Sequence, residues 1–343
     1  MRRAVVICPG RGTYNKTDLG YLARHFPDRA ILAGFDAERE AAGQEPVTAL
    51  DSAEKFSLAR HTRGDNASAL IFASSLGDFL NINRDGIEIV AVTGNSMGWY
   101  TTLACAAAVS PANGFRIANT MGTLMQQNLV GGQVVYPITE GDWKADRTRM
   151  GDLETLVAQI HMQADVELYI SIRLGGMLVL AGNDAGLEAF EQAVEPVQER
   201  FPLRLTNHAA FHTPLVGHVS QMGLAQLPVS LFQNPALPMI DGRGHIWWPH
   251  ACEMEALHDY TLRTQVVETY DFTRAVTVAA REFAPDLFIV AGPGNTLGGA
   301  VAQSLIEADW QGMHCKTDFI AKQENENPIL VSMGLEMQRG LVE

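Results

Sequence analysis

The chain is short of cysteine, of positive charge and of long apolar runs, and each shortage removes a class of protein. The four cysteines, Cys8, Cys105, Cys252 and Cys315, are scattered through 343 residues without a C-x-x-C pair, so neither a disulfide framework nor a zinc site is expected. No run reaches the roughly 18 apolar residues of a membrane helix. The apolar run behind Arg2 and Arg3, Ala4 to Cys8, is stopped by Pro9 and Gly10 and is too short for a signal-peptide core. Only 25 Lys and Arg stand against 39 Asp and Glu, a formal net charge of -14, which argues against a polyanion as main partner because phosphate binding needs clustered cations. Internal repeats and low-complexity tracts are lacking too. The expectation is a cytoplasmic protein with neither nucleic acid nor membrane as partner.

A composition of 47% hydrophobic and 19% charged residues supports a full core, large enough for one big domain or two unequal ones. Ala4 to Cys8 reads as a buried strand followed by the turn Pro9-Gly10-Arg11-Gly12-Thr13, residues 66–83 follow helical spacing, and Ile87 to Val92 is a second buried β-branched strand. Trp99 to Ala108 reads as a buried helix, and Leu287 to Val290 as another strand. Strands alternating with helices imply a parallel sheet with sites at the strands' C-terminal ends. Between Gly131 and Thr206 the order changes to strand (Gln133 to Ile138), helix (Leu153 to Gln163), two strands (Val166 to Ile172, Met177 to Ala181), helix (Leu187 to Arg200) and strand (Leu203 to Thr206), a ferredoxin-like split unit. The expected fold is therefore α/β: a parallel-sheet, α/β-hydrolase-like large subdomain (1–130 and 207–320), an inserted small ferredoxin-like subdomain (131–206), and a C-terminal tail (321–343) without assigned role.

Gly94-Asn95-Ser96-Met97-Gly98 is a G-x-S-x-G between a predicted strand and a predicted helix, the context of a nucleophile elbow. Small flanks are needed where a strand reverses sharply into a helix, and the helix N-terminus adds partial positive charge beneath the serine. A serine hydroxyl needs a base. His212 lies in a loop just past the inserted unit, with His208 and His218 as nearby rivals. His245 and His250 flank Trp247 and Trp248, which reads as an aromatic surface loop rather than a metal site.

Together these segments resemble the malonyl-CoA:acyl-carrier-protein transacylase family, which includes the acyltransferase domains of polyketide synthases. Pro9-Gly10-Arg11-Gly12 is similar to its P-G-Q-G, Gly94 to Gly98 to its G-H-S-x-G, and Phe211-His212-Thr213-Pro214-Leu215 to its F-H-S-P-L. Gln265 and Gly292-Pro293-Gly294 fall where the family has a glutamine and a G-P-G turn. The resemblance implies Ser96 as nucleophile, His212 as base and acid oriented by a backbone carbonyl, the N–H groups of Arg11 and Met97 as oxyanion hole, and Gln265 and Asn95 as supports. It also implies ping-pong transfer from acyl-CoA to the phosphopantetheine thiol of an acyl carrier protein, with no metal or redox cofactor. The same Ser/His pair serves an acyl-thioester hydrolase equally well. A carrier-binding scaffold without catalysis is the third class, against which the intact Ser96, His212, Gly94 and Gly98 speak.

Departures from the pattern bear on the acyl group. The family arginine that pairs with the malonyl carboxylate is replaced by Met121 in Thr120-Met121-Gly122-Thr123-Leu124-Met125-Gln126, and a carboxylate facing a thioether loses its charge-assisted hydrogen bonds. Asn95 replaces a histidine, and Trp99 stands where the family has an acidic or amide residue. The expected acyl pocket comprises Met121, Trp99, Phe211 and Arg173. Either the site accepts an uncharged acyl group, the favoured reading, or the cation has moved to Arg11 or Arg173.

Overall fold

The computed structural model describes residues 1–144 and 146–343. Its strands are β1 (Arg2–Cys8), β2 (Ile87–Gly94), β3 (Gly132–Pro137), β4 (Leu168–Leu174), β5 (Met177–Gly182), β6 (Leu203–Arg204), β7 (Met239–Ile240), β8 (Ile246–Trp247), β9 (Tyr270–Asp271), β10 (Leu287–Val290) and β11 (Leu330–Ser332). One sheet runs β11-β10-β1-β2-β7-β8, with parallel pairing throughout except at its β8 edge. Ala4 to Cys8 and Leu287 to Val290 are buried on both faces, as the strands of a covered parallel sheet must be. The turns that leave β1 and β2 emerge at the same end of neighbouring strands, which brings Gly10 and Arg11 beside Ser96.

The second sheet runs β6-β3-β5-β4-β9. Its first four strands are antiparallel and come from the order β-α-β-β-α-β, with helices Arg147–His161 and Asp184–Ala193 over a separate core that includes Val134, Tyr136, Leu178, Leu180, Phe190 and Phe201. β9 belongs to the return segment of the chain and pairs in parallel with β4, so the small sheet is tied to the large part by backbone hydrogen bonds.

The helices of this unit differ in extent from the sequence reading. The first begins at Arg147, where the side chain of Asp146 accepts from Arg149 N, and the second runs Asp184–Ala193 behind the cap Asn183 rather than to Arg200. Pro196 explains the early stop, because a proline lacks the N–H and disfavours helical backbone before it.

The C-terminal stretch, read from sequence as a polar and then weakly helical tail without assigned role, packs against the large sheet. Leu330–Ser332 supplies the edge strand next to β10, and Arg339, nearly fully buried, donates from Nη2 to Asp78 Oδ1 at 2.6 Å and to Tyr21 Oη at 2.5 Å. Asp78 Oδ2 also accepts from Gly292 N at 2.6 Å and from Tyr21 Oη–H at 2.7 Å. A charge that can be buried only with a partner was unrecognisable in sequence because Asp78 and Arg339 lie 261 positions apart. Removing one member leaves the other charge unpaired. Arg339→Met should therefore destabilise by about 3–5 kcal/mol, and Asp78→Asn/Arg339→Met should recover much of that loss, both read from urea unfolding midpoints.

Candidate active site

The elbow is made by crowding. A Cβ on Gly98 would overlap the carbonyl of Cys8, and one on Gly94 would lie 2.5 Å from the Gly98 carbonyl, so neither position tolerates a side chain. Between them Ser96 takes φ 55°, a left-handed conformation that a non-glycine residue holds only under constraint. Asn95 N donates to Cys8 O at 2.9 Å and Tyr270 Oη–H to Gly94 O at 2.6 Å, which fixes the turn from both sides. The helix Gly98–Cys105 begins directly behind it.

His212 also sits at positive φ, 59°. Its Nδ1 is 2.6 Å from the backbone oxygen of Gln265. A carbonyl can only accept, so Nδ1 carries the proton and Nε2 is left as an acceptor, 2.7 Å from Ser96 Oγ. The Gln265 carbonyl is free for this because its short helical turn ends at Val267, leaving terminal carbonyls without intrahelical partners. A π-turn at Tyr260–Thr264 precedes it. The Gln265 side chain donates from Nε2 to Ser96 O at 3.0 Å, so one residue contacts both members of the pair. Burial lowers the His212 pKa from 6.5 to about 4, against the pull of the Gln265 carbonyl.

Ser96 stands where two hollows meet. The inner one, about 430 Å3 of open space, is lined on its apolar side by Met121, Met125, Tyr100, Phe211 and Val266. The outer one, about 990 Å3, is a groove between the two sheets that runs past Asn95 and His208 to Leu174 and Leu297. Arg11 and Phe211 border both. No acceptor among the described residues takes the backbone N–H of Arg11 or of Met97, and both residues border the inner hollow with Ser96.

Most of the residues singled out in sequence meet here: Ser96, His212, Arg11, Met97, Gln265, Met121 and Phe211 border the inner hollow, and Asn95 borders the groove. Two do not. Trp99 is fully buried, donates from Nε1 to Thr261 Oγ1 at 3.0 Å and packs edge-on against Tyr260; it is a core residue, and its neighbour Tyr100 faces the hollow instead. Arg173 lies on β4 between Ile172 and Leu174, which line the groove, so strand alternation turns it to the opposite face. There it donates to Glu154 Oε1 at 2.6 Å and lies 3.9 Å from Asp271. The relocated-cation reading through Arg173 is thereby removed.

Arg11 is different. Its Nη2 donates to Thr62 O at 2.9 Å and Asn207 O at 3.0 Å, its guanidinium lies 5.3 Å from the Phe211 ring centre, and its buried Nη1 has no acceptor. The rival His218 is exposed. His208 is half-buried beside the groove, with its pKa lowered to about 3 by desolvation and then by the nearby Arg11. Sequence reasoning gave no pocket role to Tyr100, Tyr270, Val266 or Met125; no motif marks the first three, and Met125 stands in the quoted Thr120 to Gln126 segment without having been assigned to the pocket. No group of His, Cys, Asp and Glu suited to a metal ion occurs among the described residues, and no helix there is long and apolar enough to cross a membrane.

No protein-family profile matches the chain, and no curated protein matches it in sequence. Solved structures do match over the whole length. A malonyl-CoA:ACP transacylase from Synechocystis superposes with a TM-score of 0.75 at 16% identity, covering 100% of both chains. An acyl-carrier-protein S-malonyltransferase from Burkholderia pseudomallei gives 0.73 at 19% identity over 99% of both. The acyltransferase domain from the second module of the salinomycin polyketide synthase gives 0.71 at 17% identity, over 97% of this chain and 69% of that one. The chain thus has the fold of the malonyl-CoA:acyl-carrier-protein transacylases and of polyketide synthase acyltransferase domains.

Proposed function

We propose that the chain is an acyltransferase that takes an acyl group from a thioester such as acyl-CoA onto Ser96 and passes it to the phosphopantetheine thiol of an acyl carrier protein. The observation that carries this reading is the 2.7 Å contact between Ser96 Oγ and the unprotonated Nε2 of His212 at the meeting of the two hollows. His212 accepts the hydroxyl proton as Oγ attacks the thioester carbonyl. The developing oxyanion faces the N–H groups of Met97 and Arg11. Collapse breaks the C–S bond, and the proton on Nε2 goes to the departing sulfur. The second half reverses these steps with a carrier thiol, whose arm lies in the groove while the acyl group occupies the inner hollow.

The acyl group we assign is uncharged. Met121, buried, lines the inner hollow with Met125 and Val266, and a carboxylate seated against these three side chains finds no donor on any of them. One observation favours an acidic acyl group instead, the acceptor-free Nη1 of Arg11. Intact-protein mass spectrometry after brief exposure to acetyl-CoA, a medium-chain acyl-CoA and malonyl-CoA decides between them. Acetyl or medium-chain adducts that are absent from Ser96→Ala are expected; a malonyl adduct alone would transfer the role to Arg11, and no adduct from any thioester would end the acyltransferase reading. An adduct that decays in buffer as fast as with an added pantetheine thiol would mark a hydrolase.

Two further outcomes follow from the same geometry. Met121→Arg should raise the preference for malonyl over acetyl thioesters by about tenfold or more, since a hydrogen bond to a charged group contributes roughly 1.5–3 kcal/mol. The acylation rate should stay flat from neutral pH down to about 5 and fall with an apparent pKa near 4, because burial holds His212 deprotonated to that point. A rate that halves near 6.5 would mean that the base is not this desolvated ring.

A further inference from the structure

Three polar side chains near the site, two buried and one half-buried, have no part in the chemistry above. Gln133 on β3 and Ser171 on β4 are almost wholly enclosed, and His208 borders the groove. His208 Nδ1 lies 2.6 Å from Gln133 Oε1, Gln133 Nε2 lies 2.7 Å from Ser171 Oγ, and Ser171 Oγ lies 2.8 Å from the carbonyl oxygen of Phe211, the residue before His212.

The direction of this chain is fixed by its end. The Phe211 carbonyl can only accept, so the Ser171 hydroxyl proton points to it. The Ser171 oxygen then accepts from the Gln133 amide nitrogen, which turns Gln133 Oε1 toward His208 and places a proton on His208 Nδ1. Every link is satisfied in this one sense. Reversal at any link would set two acceptors or two donors against each other.

The backbone supports the same purpose. In the pairing of β4 with β5, Ile170 is opposite Leu180 and Ile172 opposite Val179, so Ser171 is the extra residue of a β-bulge. A bulge re-aims a side chain that would otherwise follow the pleat. Gln133 is in register with the small Ala181 of β5, the strand that separates β3 from β4, and its long side chain spans that strand to reach Ser171. Three separate pieces of sequence thus converge on one carbonyl beside a histidine at φ 59°.

We propose that Ser171 and Gln133 are positioning residues for His212, holding the Phe211 carbonyl through a hydrogen-bonded chain anchored at His208, so that the small sheet sets the geometry of the Ser96–His212 pair. This rests on the reading of Ser96 and His212 given above. Gln265 holds the imidazole; the chain holds the backbone that carries it.

The test compares Ser171→Ala and Gln133→Met with wild type in two measurements. In rapid-mixing acylation of Ser96, Ser171→Ala should lower the rate at saturating thioester by about tenfold, with the half-saturating concentration and the melting temperature little changed, and Gln133→Met should fall between the two. In 15N-histidine spectra at neutral pH, wild-type His208 and His212 should both be neutral with the proton on Nδ1, and the His212 Nδ1–H signal should move in Ser171→Ala. A wild-type acylation rate in Ser171→Ala, an unmoved His212 signal, or a His208 proton on Nε2 would each overturn the chain. Should no thioester acylate the wild type, the pair's assigned role fails while the spectra still decide the chain.

Discussion

The contact between Ser96 and His212 depends on two backbones held in a conformation that neither residue prefers. Each left-handed non-glycine residue costs on the order of 1–3 kcal/mol and persists only where its surroundings over-determine it. For Ser96 those surroundings are the close approach of Gly98 to Cys8 and the bonds from Asn95 to Cys8 and from Tyr270 to Gly94. For His212 they are Gln265 O on the ring, Thr213 Oγ1 donating back to Ala210 O, Ala210 N donating to Val130 O, and Ser171 on Phe211 O. Gln265 belongs to both sets. A shift of that one residue would misplace nucleophile and base together.

A carbonyl in the place usually given to a carboxylate changes what the histidine can do. A carboxylate would raise the ring's basicity strongly and steady an imidazolium; the Gln265 carbonyl orients the ring and raises its pKa too little to offset burial, which leaves it at about 4. Such a weak base suits a substrate whose leaving group departs easily. A thiol with an ordinary pKa of about 8.5 is expelled far more readily than an amine, so a thioester asks little of the acid that protonates the departing group. An amide nitrogen, by contrast, has to be protonated before it departs, a demand the thioester does not make. The carbonyl orienter and the thioester reading therefore support each other without reference to resemblance.

What could be read from the sequence was local. Ile87 to Val92 running into Gly94-Asn95-Ser96-Met97-Gly98 carries its own geometry, because strand, turn and helix are specified within a dozen residues, and the β-α-β-β-α-β order of the insert is visible from periodicity alone. Facing and distance were not legible. Arg173 looked as able to enter the groove as Ile172 and Leu174 until the strand's register was known, and Trp99 was read as a pocket residue while its neighbour Tyr100 was overlooked. The polarity of residues 321–343 concealed a strand because Leu330–Ser332 is only three residues long, too few for a period to show. Buried pairs such as Asp78 with Arg339, and the chain from His208 to Phe211, join residues whose partners lie on other elements, and a single sequence carries no sign of them.

Arg11 connects these levels. Its side chain pins the turn after β1 to the carbonyls of Thr62 and Asn207 and covers Phe211, so the residue proposed to offer its N–H to the oxyanion also ties that turn to the segment that follows β6. Burial lowers its pKa only to about 10, which leaves it charged at neutral pH. A fixed cation beside His208 opposes a second positive charge there and, with burial, holds that ring neutral. The hydrogen-bonded chain needs only the Nδ1 proton of His208, and a neutral ring then carries no proton on Nε2. In this site, then, both histidines are kept neutral by desolvation, one also by a neighbouring cation, and backbone carbonyls rather than any carboxylate dictate where their protons lie: that of Gln265 directly and, in the proposed chain, that of Phe211.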